Sequence, residues 1–282
     1  MKVIDGGFGN TSTMSLEIAL YDPASRDYTA HKPRPTTRTG PRITALTVAD
    51  SEGTFSQDEV LKLLELDGDE FAEGIFGRCG VQRRHLSLTP DFLADTLQGR
   101  GERVERELMD YSIGAVNQLG IEPHEIGTVL SASLYSLGCP TLAHRLVDHF
   151  AMGPTTDKYH VTGVGCASAV PLLRLASQAL HQHPGKQALV VAAESMSSIL
   201  MRATPQDHRA KTVGSAIFGD GCAAALLSGA EDAEGPMILA SRVHQIPDTL
   251  GAVSLSMSAD DSHLHLAREL PELAQAGLGA VV

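Results

Sequence analysis

The chain has 282 residues, 43% of them hydrophobic, and 22 Lys+Arg against 34 Asp+Glu give a formal charge of −12. That length and apolar content suit one large or two smaller globular domains, and the acidic balance argues against wholesale nucleic-acid or anionic-membrane binding while leaving room for a local basic pocket. No apolar run reaches the length of a membrane span, and the opening MKVIDGGFGN lacks a basic stretch followed by an apolar one, so the expected location is the cytoplasm.

Residues 21–42, YDPASRDYTAHKPRPTTRTGPR, hold four prolines and no apolar period, and residues 1–42 are expected to be an extension or linker. ITALTVA (43–49) then reads as a strand. FSQDEVLKLLELD reads as a helix opened by a capping box, with Ser56 three residues before Glu59. A helix over 102–119 carries Val104, Leu108, Ile113 and Val116 on one stripe, followed by the strand TVLSASLY (128–135) and the helix TLAHRLVDHF (141–150). A strand near 159–163, a helix over 167–182 and the strand ALVVAAE (188–194) continue the alternation. Three strand-like runs follow: AAALLSG (223–229), PMILASRVHQ (236–245) and VSLSM (253–257). A helix HLARELPELAQAGL (265–278) comes last. Strands alternating with helices predict a layered α/β fold.

The 167–182 helix is apolar on nearly every side, which predicts burial. Immediately before it stands Cys166. The cysteines Cys79, Cys139, Cys166 and Cys222 are far apart with no CxxC pair, so free thiols are expected rather than a disulfide framework or a zinc site. At the start of a helix, unpaired backbone N–H groups and the helix dipole favour thiolate over thiol, and Gly163 and Gly165 permit a tight entry turn. Cys166 therefore reads either as a nucleophile or as a small residue filling a crowded junction. It does not sit in a hydrolase elbow, because Val164 and Ser168 occupy the positions where that turn needs glycine. Gly219-Asp220-Gly221 reads as a tight hairpin turn.

Taken together, GCASAVPLLRLASQAL, ALVVAAES, AIFGDGCAAALLSG and HLARELPEL, with GVQRRHLSLTPD and SASLYSLGCPTL more weakly, resemble the type III polyketide synthases, the chalcone and stilbene synthase-like enzymes. The stretches run in family order from about residue 43 to the end. The resemblance implies a thiolase-like layered α-β-α fold, with an N-terminal half over 43–235 and the beginning of a second half over 236–282. It implies an acyltransferase that condenses a starter acyl-coenzyme A with malonyl-coenzyme A, with these thioesters as substrates and no separate cofactor or metal.

Residue by residue, the resemblance makes Cys166 the acyl-accepting nucleophile. Phe218 becomes an aromatic gatekeeper between the coenzyme A tunnel and the cavity. Leu264 stands where a second, usually aromatic, gatekeeper is expected, and Ile199 at a cavity-lining position that shapes starter choice. Arg78, Arg83 and Arg84 fall in the region that contacts coenzyme A phosphates, although the same cluster reads equally as a solvated face. Cys139 matches a residue that enters the partner's cavity, implying a homodimer.

The family stabilises the enolate of the extender with a His and an Asn from the second half of the fold. Here the only asparagines are Asn10 and Asn117, both upstream of Cys166, and His183 in HPGK comes too soon after the cysteine to be the catalytic histidine. The expectation is an incomplete chain with apolar surface exposed near its C-terminal end. Two other readings stay open: an enzyme like ketoacyl-ACP synthase III, and a truncated non-catalytic paralogue.

Overall fold

The computed structural model describes residues 40–88, 96–199, 208–241, 243–257 and 262–281, which fall within one structural unit, Pro35–Val282. In chain order its elements are β1 (Arg42–Ala49), β2 (Thr54–Ser56), α1 (Gln57–Leu63), α2 (Glu70–Arg78), β3 (Arg83–His85), α3 (Leu97–Leu119), β4 (Ile126–Ala132) and α4 (Leu142–His149). There follow β5 (Asp157–Val161), α5 (Ala169–Ala179), β6 (Gln187–Glu194), α6 (His208–Ile217), β7 (Gly221–Ser228), β8 (Val253–Met257), β9 (Ser262–Leu266) and α7 (Leu270–Val281). The expected extension lies almost wholly outside the described residues.

β4 is buried along its whole length, which places it in the interior of a sheet covered on both faces. The sheet has five strands in the order β1-β7-β6-β4-β5. β4 runs parallel to β5 and β6, and β7 runs antiparallel to β6 and β1. Side chains alternate between faces with the pleat. Val129, Leu189, Val191, Ala224 and Leu226 pack with Val104, Leu108, Ala115 and Val116 of α3 and Leu142 and Leu146 of α4. Leu130, Ala132, Ala188, Val190, Ala225 and Leu227 pack with Leu172 and Ala176 of α5. The result is an α-β-α layering.

Local chemistry sets the helix ends. Ser56 and Glu59 form the expected capping box on α1, each accepting from the other's backbone N–H. α3 begins at Leu97, earlier than expected, because the Thr96 side chain accepts from Gly99 N, and it ends at Gly120, whose φ of 62° suits glycine.

Several expectations need correction. α5 is not buried all round: Leu172 and Ala176 face the sheet, while Val170 and Leu175 are 55% and 40% exposed. Apolar composition reports what a helix could bury, and among the described residues only the sheet face is covered. Leu46 and Val48, 68% and 61% exposed, lie on the face of β1 opposite α3. The expected strand over 236–245 reduces to a single bridge between Met237 and Arg42, flanked by Ile43 N→Pro236 O and Ile238 N→Pro41 O. The expected helix over 265–278 starts only at Leu270, because His265 and Leu266 pair with Ser254 and Val253 in the β8–β9 hairpin. α2 and α6 were not foreseen: EFAEGIFGR and HRAKTVGSAI carry glycines that dilute any helical period, and Asp69 starts α2 by accepting from Phe71 N and Ala72 N. The expected apolar exposure near the C-terminal end is present at Leu250, Val253 and Leu278.

Candidate functional site

Three parallel strands, β4, β5 and β6, end on one edge of the sheet, and β7 starts there, with Gly221 opposite Glu194. Crevices at the carboxyl ends of parallel strands are where open α/β sheets place their chemistry. The connections that gather at this edge are Ser133–Thr141 after β4, Thr162–Ser168 after β5, Ser195–Ile199 after β6 and Phe218–Asp220 before β7.

Cys166 sits in a 3-10 turn, Gly165–Ala167, one turn ahead of α5 rather than inside its first turn, and it is exposed. The turn needs its glycines: Gly163 and Gly165 have φ of 78° and 60°, the left-handed region, and Ser168 N donates to Gly165 O at 3.0 Å. The filler reading of Cys166 does not match an exposed side chain. Cys139 is exposed as well, Cys79 is half-buried with Gln57 Nε2 donating to its sulfur at 3.0 Å, and Cys222 is buried against α3, where desolvation pushes its thiol up to about 12.

Phe218 and Leu264 come together across α6. A Cβ placed on Gly214 would stand 3.0 Å from Leu264 Cδ2 and 3.2 Å from Phe218 Cε2, so both side chains close in on this glycine and would have to give by a few tenths of an ångström to admit a methyl group. Ile199 closes the 3-10 turn Ser197–Ile199, and its side chain lies outside the described residues. The three arginines separate. Arg78 and Arg83 are exposed. Arg84 is buried, donating from Nη1 to Phe218 O at 2.7 Å and from Nη2 to Gln57 Oε1 at 2.9 Å, with its guanidinium carbon 5.8 Å from the Phe76 ring centre. Burial lowers its pKa to about 10. Both ends of the Arg84 fork are thus engaged by protein.

Behind these loops lies a buried polar network that the sequence did not single out. Asp220 accepts from Ser197 N (2.7 Å), Ser197 Oγ (2.6 Å), Ser87 N (2.7 Å) and Tyr111 OH (3.4 Å), and its own N–H donates to His85 O (2.8 Å). Burial raises its pKa, opposed by the Ser197 and Ser87 hydrogen bonds, and also raises that of Tyr111. Nearby, Glu107 accepts from Ser195 Oγ and from Ser198 Oγ at 3.3 Å. At the end of β6, Glu194 accepts from Leu134 N at 2.9 and 3.1 Å and from Ser133 Oγ at 3.3 Å, while desolvation raises its carboxyl to about 7. Thr162 Oγ1 donates to Leu134 O at 3.3 Å, linking the Cys166 segment to the β4 loop. The Glu-Ser-Met-Ser-Ser run at 194–198, polar residues directly after a buried strand, was the available sequence signal.

His183 pairs with Asp157 at 2.8 Å, at the first residue of β5, and so stands at the opposite end of that strand from Cys166. Among the described residues no cluster of His, Cys, Asp and Glu is arranged to hold a metal ion, and no helix is long and apolar enough to cross a membrane.

A family model described as FAE1/Type III polyketide synthase-like protein matches residues 26–260. The chain is 26% identical over 234 residues to a 3,5-dihydroxyphenylacetyl-CoA synthase of Amycolatopsis balhimycina, covering 78% of this chain and 60% of that one. It is 27% identical over 210 residues to a 1,3,6,8-tetrahydroxynaphthalene synthase of Streptomyces peucetius subsp. caesius, covering 71% and 55%. The crystal structure of the 1,3,6,8-tetrahydroxynaphthalene synthase of Streptomyces coelicolor A3(2), a bacterial type III polyketide synthase, matches with a TM-score of 0.76 at 20% identity, covering 85% of this chain and 71% of that one. The fold is therefore the expected thiolase-like layered α/β fold. The chain spans 55–60% of the length of these two curated relatives.

Proposed function

Because the chain belongs to the FAE1/type III polyketide synthase-like family, we propose that it carries the acyl-accepting half of a condensing site, with Cys166 as the nucleophile. The Cys166 thiolate attacks the carbonyl of an acyl-coenzyme A thioester, a new carbon–sulfur bond forms, the bond to coenzyme A breaks, and the departing thiolate takes up a proton. Splitting acyl transfer in this way replaces one difficult step with two easier ones. The observation that carries the reading is the setting of Cys166, exposed on a turn built from two left-handed glycines at the strand-end edge of the sheet.

Around that thiol, Phe218 and Leu264 form the gate, the Leu264 side leaving a wider passage than a second aromatic ring would, and Ile199 contributes to starter choice. Arg78 and Arg83, whose charges face solvent, contact the coenzyme A phosphates; Arg84 serves the gate through the Phe218 carbonyl. In the second step malonyl-coenzyme A loses carbon dioxide and its enolate displaces the Cys166 sulfur from the bound acyl group. No asparagine follows Cys166 in the sequence, so enolate stabilisation is assigned to no residue of this chain. The loop bearing Cys139 and the exposed Leu137 supports a homodimer, with Cys139 directed at the second copy. Coenzyme A thioesters as substrates favour the cytoplasm.

The test is coenzyme A release. Incubation with acetyl-, hexanoyl- or malonyl-coenzyme A should free up to one equivalent of coenzyme A thiol per chain in a first turnover, and Cys166→Ala should abolish it. Release that survives Cys166→Ala would overturn the assignment.

A further inference from the structure

We infer that Asp220 is a positioning residue that fixes, through one buried carboxylate, the three segments carrying Phe218, Ile199 and Arg83; this deepens the proposed acyl-transfer reading and rests on it. Asp220 is 5% exposed and lies two residues after Phe218. Its Oδ1 accepts from Ser197 N, the first residue of the 3-10 turn that ends at Ile199. Its Oδ2 accepts from Ser197 Oγ, from Tyr111 OH and from Ser87 N, which stands two residues beyond the end of β3, the strand of Arg83 and Arg84.

A second set of contacts closes the same joint. Asp220 N donates to His85 O, and Arg84 Nη1 donates to Phe218 O, so Arg84, His85 and Ser87 are each tied to the 218–220 segment. Gly219 sits between them with room for no side chain without adjustment, since a Cβ there would lie 3.2 Å from His85 O. The gate, the cavity turn and the basic strand cannot shift independently while this carboxylate is in place. Charge-assisted hydrogen bonds from Ser197 N, Ser197 Oγ and Ser87 N, at 2.7, 2.6 and 2.7 Å, suit this task, being shorter and stronger than neutral ones, and the Tyr111 hydroxyl adds a longer contact at 3.4 Å. None of these contacts involves the Cys166 turn. Asp220 thus governs how an acyl-coenzyme A is received, and not the reactivity of the thiol.

The experiment uses the full chain with Asp220→Asn, an isostere that turns an NH2 group toward at least one backbone N–H, and Ser197→Ala, which deletes one hydroxyl contact and guards against a folding failure of the first. The concentration of hexanoyl-coenzyme A that half-saturates Cys166 acylation should rise roughly tenfold in Asp220→Asn and severalfold in Ser197→Ala, the scale of losing a hydrogen bond to a charged group. The maximal acylation rate and the rate of Cys166 alkylation by iodoacetamide should stay within about twofold, since a positioning effect on binding leaves the limiting rate alone. Half-saturation within twofold of wild type in both variants, or a maximal acylation rate and an alkylation rate that both fall by as much as the half-saturating concentration rises, would overturn the proposal. If the wild-type chain accepts no coenzyme A thioester, the acyl-transfer reading fails, and hydrogen exchange then decides the positioning claim by itself. Amides of 84–87, 197–199 and 218–220 should exchange faster together in the variant while those of 104–116 do not. Loosening of only one segment, or of none, would overturn it.

Discussion

The carbonyl of Phe218 accepts a 2.7 Å hydrogen bond from Nη1 of Arg84, a buried guanidinium whose other arm is held by Gln57 of α1. Truncating Arg84 to Ala removes a buried side chain and leaves two part-buried acceptors without their donor, and the expected loss of stability is about 2–4 kcal/mol. Arg83→Ala, one residue away on the exposed side of β3, should change stability by no more than about 0.5 kcal/mol. Urea unfolding of the two variants makes the comparison; similar losses would mean that the guanidinium of Arg84 does not hold the Phe218 segment.

The two faces of α5 should respond in opposite ways. Leu172 is fully buried against the sheet, and Leu172→Ala should cost about 2–5 kcal/mol. Val170, on the other face, is 55% exposed, and Val170→Ala should cost under about 1 kcal/mol. Replacing Val170 by Asp should also reduce binding of a hydrophobic dye to the chain, because Val170 and Leu175 make that face apolar. A large loss of stability in Val170→Ala would show this face to be packed in solution.

Glu194 makes stability depend on pH. Its carboxyl is raised by burial from an unperturbed value of 4.5 to about 7, so the folded state holds this proton more tightly than the unfolded one. The contribution is fully present below about pH 4.5 and is lost as pH rises through 7, with a total on the order of 3 kcal/mol. Asp220, also raised by burial, acts with the same sign from a lower starting value. Glu194→Gln should therefore flatten the decline between pH 5 and 8 without removing it, as read from unfolding midpoints across that range. An unchanged slope in the variant would refute the assignment.

Glycines on the Cys166 turn and in α2 should behave oppositely when replaced by alanine. Gly163→Ala and Gly165→Ala force a side chain into left-handed backbone and should each cost about 1–2 kcal/mol while slowing Cys166 acylation. Gly77→Ala, in a helix with open space where its Cβ would go, should stabilise by about 0.5–1 kcal/mol. Thermal unfolding of the three variants checks both directions.

Much of the architecture was legible because burial leaves periodic traces. The continuous apolar runs of β4, β6 and β7, strands buried on both faces, and the capping box of Ser56 and Glu59 are local signals, and the structure keeps them. α2 and α6 left weaker traces because glycines interrupt their apolar faces. The 236–245 run misled because, among its described residues, backbone pairing is confined to residues 236–238 against 41–43. At the site, the glycine turn around Cys166 was legible locally, and the resemblance named Phe218 and Leu264, whose side chains both close on Gly214. The polar network was not legible: Asp220 meets Tyr111, 109 positions away, and Ser87, 133 away, and no local period encodes such pairings. Arg84 was grouped with its exposed neighbours for the same reason, since only the fold turns it inward.

Acyl transfer from coenzyme A to Cys166 is the step on which the proposed function rests, and peptide-level mass spectrometry after brief exposure to hexanoyl-coenzyme A reads it. A hexanoyl adduct is expected on the Cys166 peptide, none on Cys79 or buried Cys222, none on Cys139, which is also exposed, and loss of the adduct in Cys166→Ser. Equal acylation of Cys139 and Cys166, or an unmodified Cys166 in the folded chain, would contradict it.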